Sequence, residues 1–262
     1  MRIIVILGRV LDPSGIAVNR RVGRIFINRE EYVLQPADRC ALEAALQVKD
    51  AAGAEVVALP RGPLPDDDVL RQALATGADR AIYLAGDGFK GADDGVMVRV
   101  LAAAVERLGG TDLVLTGATT MDTGQGQLGP RLAEALGCPQ IINAWQVSVT
   151  DGKVRAVLQQ AADYVAVEAG LPAVVTMLPG ALRLRYPDGV RLVNVYKGVG
   201  EIAEALERWD VADLVDADGL RPLLERRGRD FPPERERGSR VTGTPQDMAQ
   251  AAANALQQRM GR

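Results

Sequence analysis

From Arg2 to Leu136 the chain alternates short apolar runs with amphipathic helical segments, and that rhythm restricts the fold more than any other feature. Arg2-Ile-Ile-Val-Ile-Leu7 is a near-continuous β-branched run, the pattern of a strand covered on both faces. Glu55 to Leu59, Asp79 to Leu84 and Asp112 to Thr116 repeat it. Between them, Arg39–Lys49 carries an apolar stripe of Leu42, Ala45, Leu46 and Val48. Asp66, Asp67 and Asp68 open the next helix, where the dipole favours acid. Further helices are expected over 95–107 and 129–136. Strand–helix alternation at this spacing predicts an α/β fold: a doubly wound, mostly parallel sheet with right-handed crossovers and helices on both faces.

The rhythm changes at Ile141. Trp145–Thr150 and Lys153–Val157 flank Asp151-Gly152 and read as a β-hairpin. Tyr164–Glu168 and Ala173–Met177 read as two further strands, so a mixed edge follows the parallel half. A polar/apolar alternation around Arg24-Ile-Phe-Ile-Asn28 suggests a second hairpin within residues 22–33, inserted after the first strand. Beyond the Gly198-Val-Gly200 break, a short helix is expected over 201–209. Residues 225–240, mixed in charge and broken by Pro and Gly, form no core of their own, and a final Ala-rich helix runs over 247–260. The expected division is an α/β domain over 1–200 and a C-terminal extension or arm over 201–262.

Composition removes whole classes of chemistry. There is no histidine, so a Ser–His–Asp triad, a Cys–His pair and a His-ligated metal are all impossible. The two cysteines, Cys40 and Cys138, are far apart and read as reduced thiols in a reducing compartment. A net charge of −3 gives no basic face for nucleic acid or an anionic membrane. Ile3–Leu7 is too short for a leader or a membrane span, so a cytoplasmic protein is expected. With so few polar catalytic candidates, a bound cofactor is the simplest source of chemistry.

One loop is a candidate cofactor site. The fourth strand runs into Gly117, Ala118, Thr119, Thr120, Met121, Asp122, Thr123, Gly124, Gln125, Gly126, Gln127 and Leu128, followed by Gly129-Pro130 and a helix. Ligands of doubly wound sheets bind beyond the carboxyl ends of the strands. A glycine-rich turn into a helix offers free backbone N–H groups and a positive helix end to a phosphate. The spacing matches neither a Walker loop nor a dinucleotide fingerprint. On its residues alone the loop is either a phosphate cradle or an ordinary surface connection.

Several motifs in order carry a family resemblance. Ile3-Ile-Val-Ile-Leu-Gly-Arg-Val-Leu-Asp-Pro13, Gln35-Pro-Ala-Asp-Arg-Cys-Ala-Leu-Glu-Ala-Ala45, Glu55-Val-Val-Ala-Leu-Pro-Arg-Gly-Pro63, Gln72-Ala-Leu-Ala-Thr-Gly-Ala-Asp-Arg-Ala81, the loop from Asp112 to Pro130, and Leu171-Pro-Ala-Val-Val-Thr176 resemble the beta subunit of electron-transfer flavoproteins over roughly residues 1–200. The resemblance implies an adenine-nucleotide-hydrolase-like fold and a heterodimer with an alpha subunit that holds most of an FAD. It implies an electron carrier rather than a conventional enzyme, serving a dehydrogenase or quinone reductase. It also implies an adenine nucleotide in this chain: AMP in the single-path type, or a second FAD reduced by NADH in the bifurcating type. The C-terminal arm is expected either to lie on another chain, the alpha subunit, or to be a frayed tail. By motif matching, the cofactor-binding residues are Ile6, Gly8, Gln35, Pro36, Ala37, Asp38, Arg61 and the loop from Gly117 to Leu128, with no catalytic residue and no metal ligand.

Within the loop, Gly126 and Leu128 resemble the FAD-bearing type, small or apolar where AMP types carry Asn and Thr, and the small residue is read as opening space for the diphosphate of a dinucleotide. Asp122 either orients the loop, binds a ligand hydroxyl or caps the turn. Arg9, Arg61 and Arg80 are candidates for placing positive charge near a flavin, or else surface ion-pair partners. Ala181-Leu-Arg-Leu-Arg-Tyr-Pro187 stands where the family's partner-docking loop lies, with Leu182 and Leu184 as exposed anchors or as an ordinary strand edge. Two other functions fit the fold class: a stand-alone nucleotide-binding regulatory domain of the stress-protein type, and an ATP-using transferase or hydrolase. The motif order and the extension past residue 140 speak against the first. The lack of Lys or Arg in residues 117–130 speaks against the second.

Overall fold

The structure is a computed structural model, and it describes all residues except 87–88, 90, 162, 225–227, 229–237, 239 and 261–262. The mixed-charge stretch over 225–240 lies almost entirely outside the described residues. Two compact units are present, Met1–Glu225 and Arg226–Arg262.

In the first unit the chain forms β1 (Arg2–Leu7), β2 (Arg9–Leu11), β3 (Ile16–Asn19), β4 (Arg24–Ile27), β5 (Tyr32–Leu34), α1 (Pro36–Ala52), β6 (Glu55–Pro60), α2 (Asp68–Thr76), β7 (Arg80–Ala85), α3 (Asp94–Arg107), β8 (Leu113–Gly117), α4 (Leu128–Ala135), β9 (Gln140–Thr150), β10 (Lys153–Gln160), β11 (Asp163–Gly170), β12 (Ala173–Met177), α5 (Gly189–Lys197), α6 (Glu201–Glu204) and β13 (Leu206–Asp210). Nine strands make one sheet in the order β11-β10-β9-β12-β8-β1-β6-β7-β13. The seven from β9 to β13 in that order pair parallel, while β10 and β11 add an antiparallel edge. The expected doubly wound sheet with a mixed edge is therefore the observed one.

Alternation along β1 divides the core. Ile3, Val5 and Leu7 point to the side of α1 and α2, and Ile4 and Ile6 to the side of α3 and α4. All five are fully buried, as a strand covered on both faces requires. The chain moves outward from β1 through α1 and α2, then returns on the opposite face through α3 to reach β8 on the other side of β1. That reversal puts a topological switch point between the carboxyl ends of β1 and β8.

Local chemistry sets the helix ends. Pro36 occupies the first turn of α1, Lys49 its last turn, and Gly53 ends it at φ 69° with its N–H donating to the Lys49 carbonyl at 2.8 Å. Asp93 caps α3 through the Val96 N–H at 2.9 Å. The Asp151-Gly152 turn has both residues at positive φ, 53° and 72°, the geometry that joins twisted strands tightly.

Three segments differ from the expectations. The inserted hairpin pairs β3 with β4, so the alternation about Arg24 forms one arm only, and β2 with β5 closes its base. The helix over 201–209 stops at Glu204, and Leu206–Asp210 becomes the ninth strand, pairing with β7. Its charged composition favours a helix locally, but edge pairing along β7 outweighs that preference. Residues 189–197, in a stretch with no expected element, form α5. There Asp188 caps the Arg191 N–H, and the Arg191 guanidinium donates to the Leu74 and Ala78 carbonyls at the end of α2.

The second unit holds α7 (Pro245–Met260), the expected terminal helix. Thr244 and Asp247 cap it reciprocally: Thr244 N–H donates to the Asp247 carboxylate at 3.0 Å, and Asp247 N–H to the Thr244 hydroxyl at 3.3 Å.

Two carboxylates make the fold acid-sensitive. Glu55 accepts from Arg2 Nε at 2.8 Å, and this hydrogen bond holds its pKa below the usual 4.5, with help from Arg80. The forked contact of Arg71 likewise lowers Asp67. Because these pKa values are depressed in the folded state, their contribution is complete above the unfolded-state values and is lost as pH falls through the folded ones. The denaturant-derived unfolding free energy is expected to be flat down to about pH 5 and to fall below it, with a shallower fall in Glu55→Gln. A fall of equal steepness in that variant would exclude Glu55 as a cause.

Candidate nucleotide site

Asp38 organises the switch point. It lies in the first turn of α1, fully buried beneath the ends of β1 and β8. Its Oδ2 accepts from the Gly8 N–H at 2.8 Å and from Arg61 Nε at 3.1 Å. Its Oδ1 accepts from the Gly117 N–H at 2.8 Å and from Arg61 Nη2 at 2.6 Å. One carboxylate thus ties together the tips of β1 and β8 and the residue that follows β6. Arg61 Nη2 also donates to the Thr116 hydroxyl at 2.8 Å and to the Gly117 carbonyl at 3.1 Å. Burial disfavours the guanidinium charge, but Asp38, with Asp94 and Asp122 adding to it, more than offsets this, so the pKa of Arg61 is raised. Both Asp38 oxygens are committed within the protein, which makes Asp38 a positioning residue for the site.

The rest of the junction is backbone held at close range. Gln35 Nε2 donates to the Thr119 carbonyl at 2.7 Å, and the Gln35 N–H to the Gly8 carbonyl at 2.9 Å. The Arg61 N–H donates to the Leu7 carbonyl at 2.7 Å, and the Ala118 N–H to the Met177 carbonyl at 2.8 Å. A Cβ on Gly117 would lie 2.4 Å from Asp38 Oδ1 and 2.6 Å from the Ala37 Cβ, so only glycine lets α1 and β8 approach this closely.

Beyond Ala118 the loop turns outward. Met121 to Gln127 are exposed, and the loop closes on itself through Thr120 N–H to the Gln125 carbonyl at 3.0 Å and Gly124 N–H to the Thr120 carbonyl at 2.9 Å. Asp122 accepts from the Thr123 N–H at 2.8 Å, a contact of the turn-capping kind. The loop ends at the amino terminus of α4, which no side chain caps. An uncapped helix start beside a glycine-rich turn fits a phosphate. On the other side of Arg61, a cleft of 360 Å³ opens between Gly8, Arg9, Tyr32, Arg61, Gly62 and the Pro63–Pro65 turn. Arg9 stacks over Tyr32 at 4.1 Å and pairs with Asp66 at 2.7 Å.

The structure gathers Gly8, Gln35, Pro36, Ala37, Asp38, Arg61 and Gly117 into one junction, with Ala118 to Gln127 as its outer loop. Ile6 is not at the site surface: its side chain sits in the core beneath the sheet with Val57 and Phe89. Leu128 is also turned inward, packing with Leu132 in that core. At Gly126 a Cβ would lie 2.8 Å from the Ala118 carbonyl oxygen. Arg80 lies at the opposite end of the sheet, paired with Glu207 at 2.6 Å and Glu55 at 3.5 Å, and is an ion-pair residue. Leu182 and Leu184 are half-buried against the core around α1 rather than exposed anchors. Their neighbours Arg183 and Tyr186 project instead, while Arg185 is clamped by Glu43 and Asp50. Sequence reasoning missed Thr116, the hydroxyl that receives Arg61. Its signal was a lone polar residue ending an apolar strand.

Among the described residues there is no cluster of Cys, Asp and Glu fit to hold a metal, and no helix long and apolar enough to cross a membrane. Fold and site together define a doubly wound α/β protein with a glycine-rich cradle at its switch point. Residues 24–213 match the electron transfer flavoprotein domain model. The chain is 31% identical to the caffeyl-CoA reductase–Etf complex subunit CarD of Acetobacterium woodii, with 93% of each chain covered. It is 32% identical to the electron transfer flavoprotein subunit beta of Clostridium acetobutylicum, covering 83% of this chain and 81% of that one. It is 35% identical to protein FixA of Azorhizobium caulinodans over 71% of this chain and 68% of that one. The chain belongs to the electron transfer flavoprotein family, as a member of the beta-subunit type.

Proposed function

We propose that this protein is the beta subunit of a heterodimeric electron-transfer flavoprotein. In this reading it pairs with an alpha subunit and holds an adenine nucleotide, AMP or FAD, at the switch point. The observation that carries the reading is the Asp38 junction, which holds Gly8, Arg61 and Gly117 together where a doubly wound sheet takes its ligand. The phosphate is assigned to the backbone N–H groups of the glycine-rich loop and the start of α4, and the base to the cleft beside Gly8 and Gly62. Thr119, Thr120 and Thr123 supply hydroxyl groups along the phosphate path.

When bound, the flavin supplies the electron transfer. This chain's residues fix the nucleotide's position. Asp38 and Arg61 keep three strand ends in register, Gln35 holds the start of the loop, and the Pro63–Pro65 turn walls the cleft. The protein is read as cytoplasmic and as passing electrons between a dehydrogenase and a further acceptor, with the arm beyond residue 200 lying on the alpha subunit.

Co-expression with an alpha-type subunit, purification and denaturation to release and count nucleotides tests the reading. Two FAD per heterodimer with NADH-dependent reduction would identify an FAD-bearing beta site. One FAD and one AMP would identify a single-path carrier. A chain that stays alone and binds ATP would overturn the proposal and favour the regulatory-domain reading.

A further inference from the structure

The start of α4 rests on the methyl groups of two buried threonines. Thr116 of β8 and Thr176 of β12 are register partners. Two residues earlier in the same strands, Val114 and Val174 are partners in the same way, and they belong to the apolar layer under α3 and α4. Each threonine hydroxyl is held within the sheet. Thr116 accepts from Arg61 Nη2 at 2.8 Å, and Thr176 accepts from the Asn143 N–H at 3.0 Å. Asn143 lies where β9 slips register against β12, at φ 60°, so the Thr176 hydroxyl serves an N–H that the ladder leaves over. The methyl groups face α4. A Cβ on Gly129 would lie 2.3 Å from Thr176 Cγ2 and 3.4 Å from Thr116 Cγ2. Gly129 is helical, a conformation open to any residue, so contact with Thr176 alone demands glycine there.

That contact sets the height of α4 at the point where the helix presents its donors. Pro130 has no N–H, and the Arg131 N–H donates to the Gln127 carbonyl at 3.0 Å. The remaining donors at the helix start are the N–H groups of Leu128 and Gly129, and neither has an acceptor among the described residues. No residue from 117 to 130 is Lys or Arg, so a phosphate held here depends on N–H groups rather than on a cationic side chain. Such bonds weaken steeply outside a narrow range of distance and angle. The base, assigned to the cleft on the far side of Arg61, does not share this dependence.

We propose that Thr176 is a positioning residue for the phosphate end of the nucleotide site. Its methyl group, in contact with Gly129, fixes the Leu128 and Gly129 N–H groups where a phosphate takes them. This rests on the nucleotide reading.

Calorimetric titration of the full chain with AMP and with adenosine tests the role, because the ratio of the two affinities isolates the phosphate. Thr176→Ser removes the methyl group and keeps the hydroxyl. Gly129→Ala adds a methyl group where that of Thr176 already stands. Each is expected to weaken AMP binding by about 10-fold, the scale of one lost charge-assisted hydrogen bond, and to leave adenosine binding unchanged. The double variant moves the methyl group from strand to helix and is expected to recover most of the preference for AMP, whereas independent losses would add. Should Gly129→Ala alone fail to fold, recovery of both folding and AMP preference in the double variant is the expected result. Thr176→Val keeps the methyl group and deletes only the hydroxyl. It is expected to lower the denaturant midpoint, through the unpaired Asn143 N–H, with the ratio unchanged. Parallel loss of AMP and adenosine in Thr176→Ser, or a double variant no better than the weaker single one, would overturn the positioning role. A wild-type chain that binds adenosine as tightly as AMP would overturn the phosphate assignment and this role with it. One that binds neither would overturn the nucleotide reading itself.

Discussion

Asp38→Ala is expected to lower the thermal unfolding midpoint by roughly 10 °C and to abolish binding of the proposed nucleotide. The substitution leaves the Arg61 guanidinium, 15% exposed, without its counter-charge, and strips the acceptor from the Gly8 and Gly117 N–H groups. Breaking one side of a buried pair costs about 3–5 kcal/mol, and each kcal/mol is worth a few degrees in a chain of this size. Removing both partners in Asp38→Ala/Arg61→Met is expected to cost less than the sum of the single changes, because no uncompensated charge remains. Calorimetry of the four proteins closes the cycle. Strict additivity would mean that the pair does not act as a unit.

Gly117→Ala should destabilise through a different route. Its methyl group would sit 2.4 Å from Asp38 Oδ1 and 2.9 Å from the Ala37 carbonyl carbon, so backbone must move and the end of β8 must part from α1. Overpacking of this kind costs about 1–3 kcal/mol, and retention of the proposed nucleotide is expected to fall with it. Gly62 is the matched control. It lines the neighbouring cleft, yet an added Cβ there meets nothing within 4 Å, so Gly62→Ala should stay within about 0.5 kcal/mol of wild type. Denaturant midpoints compare the two directly. An unperturbed Gly117→Ala would mean that β8 and α1 are not held this closely in solution.

Much of this architecture was legible in the sequence because the central strands are buried on both faces, and such strands must be almost uniformly apolar. Ile3 to Leu7 and Leu113 to Leu115 could hardly be anything else. The ninth strand was not legible, since Leu206–Asp210 lies at the edge with one covered side, and Glu207, Arg208 and Asp210 erase the pattern. At the site, motif order located Asp38, Arg61 and Gly117 but could not reveal that they bond to one another, because their separations in sequence carry no signal.

The strand order also constrains how the chain emerges from the ribosome. β8 is flanked on its outer side by β12, which follows only after the whole β9–β11 meander has been made. Until Ala173–Met177 appears, Leu113 to Leu115 lie along a bare parallel edge able to recruit strands from other chains. A product truncated within the meander would therefore be prone to aggregation rather than merely shortened.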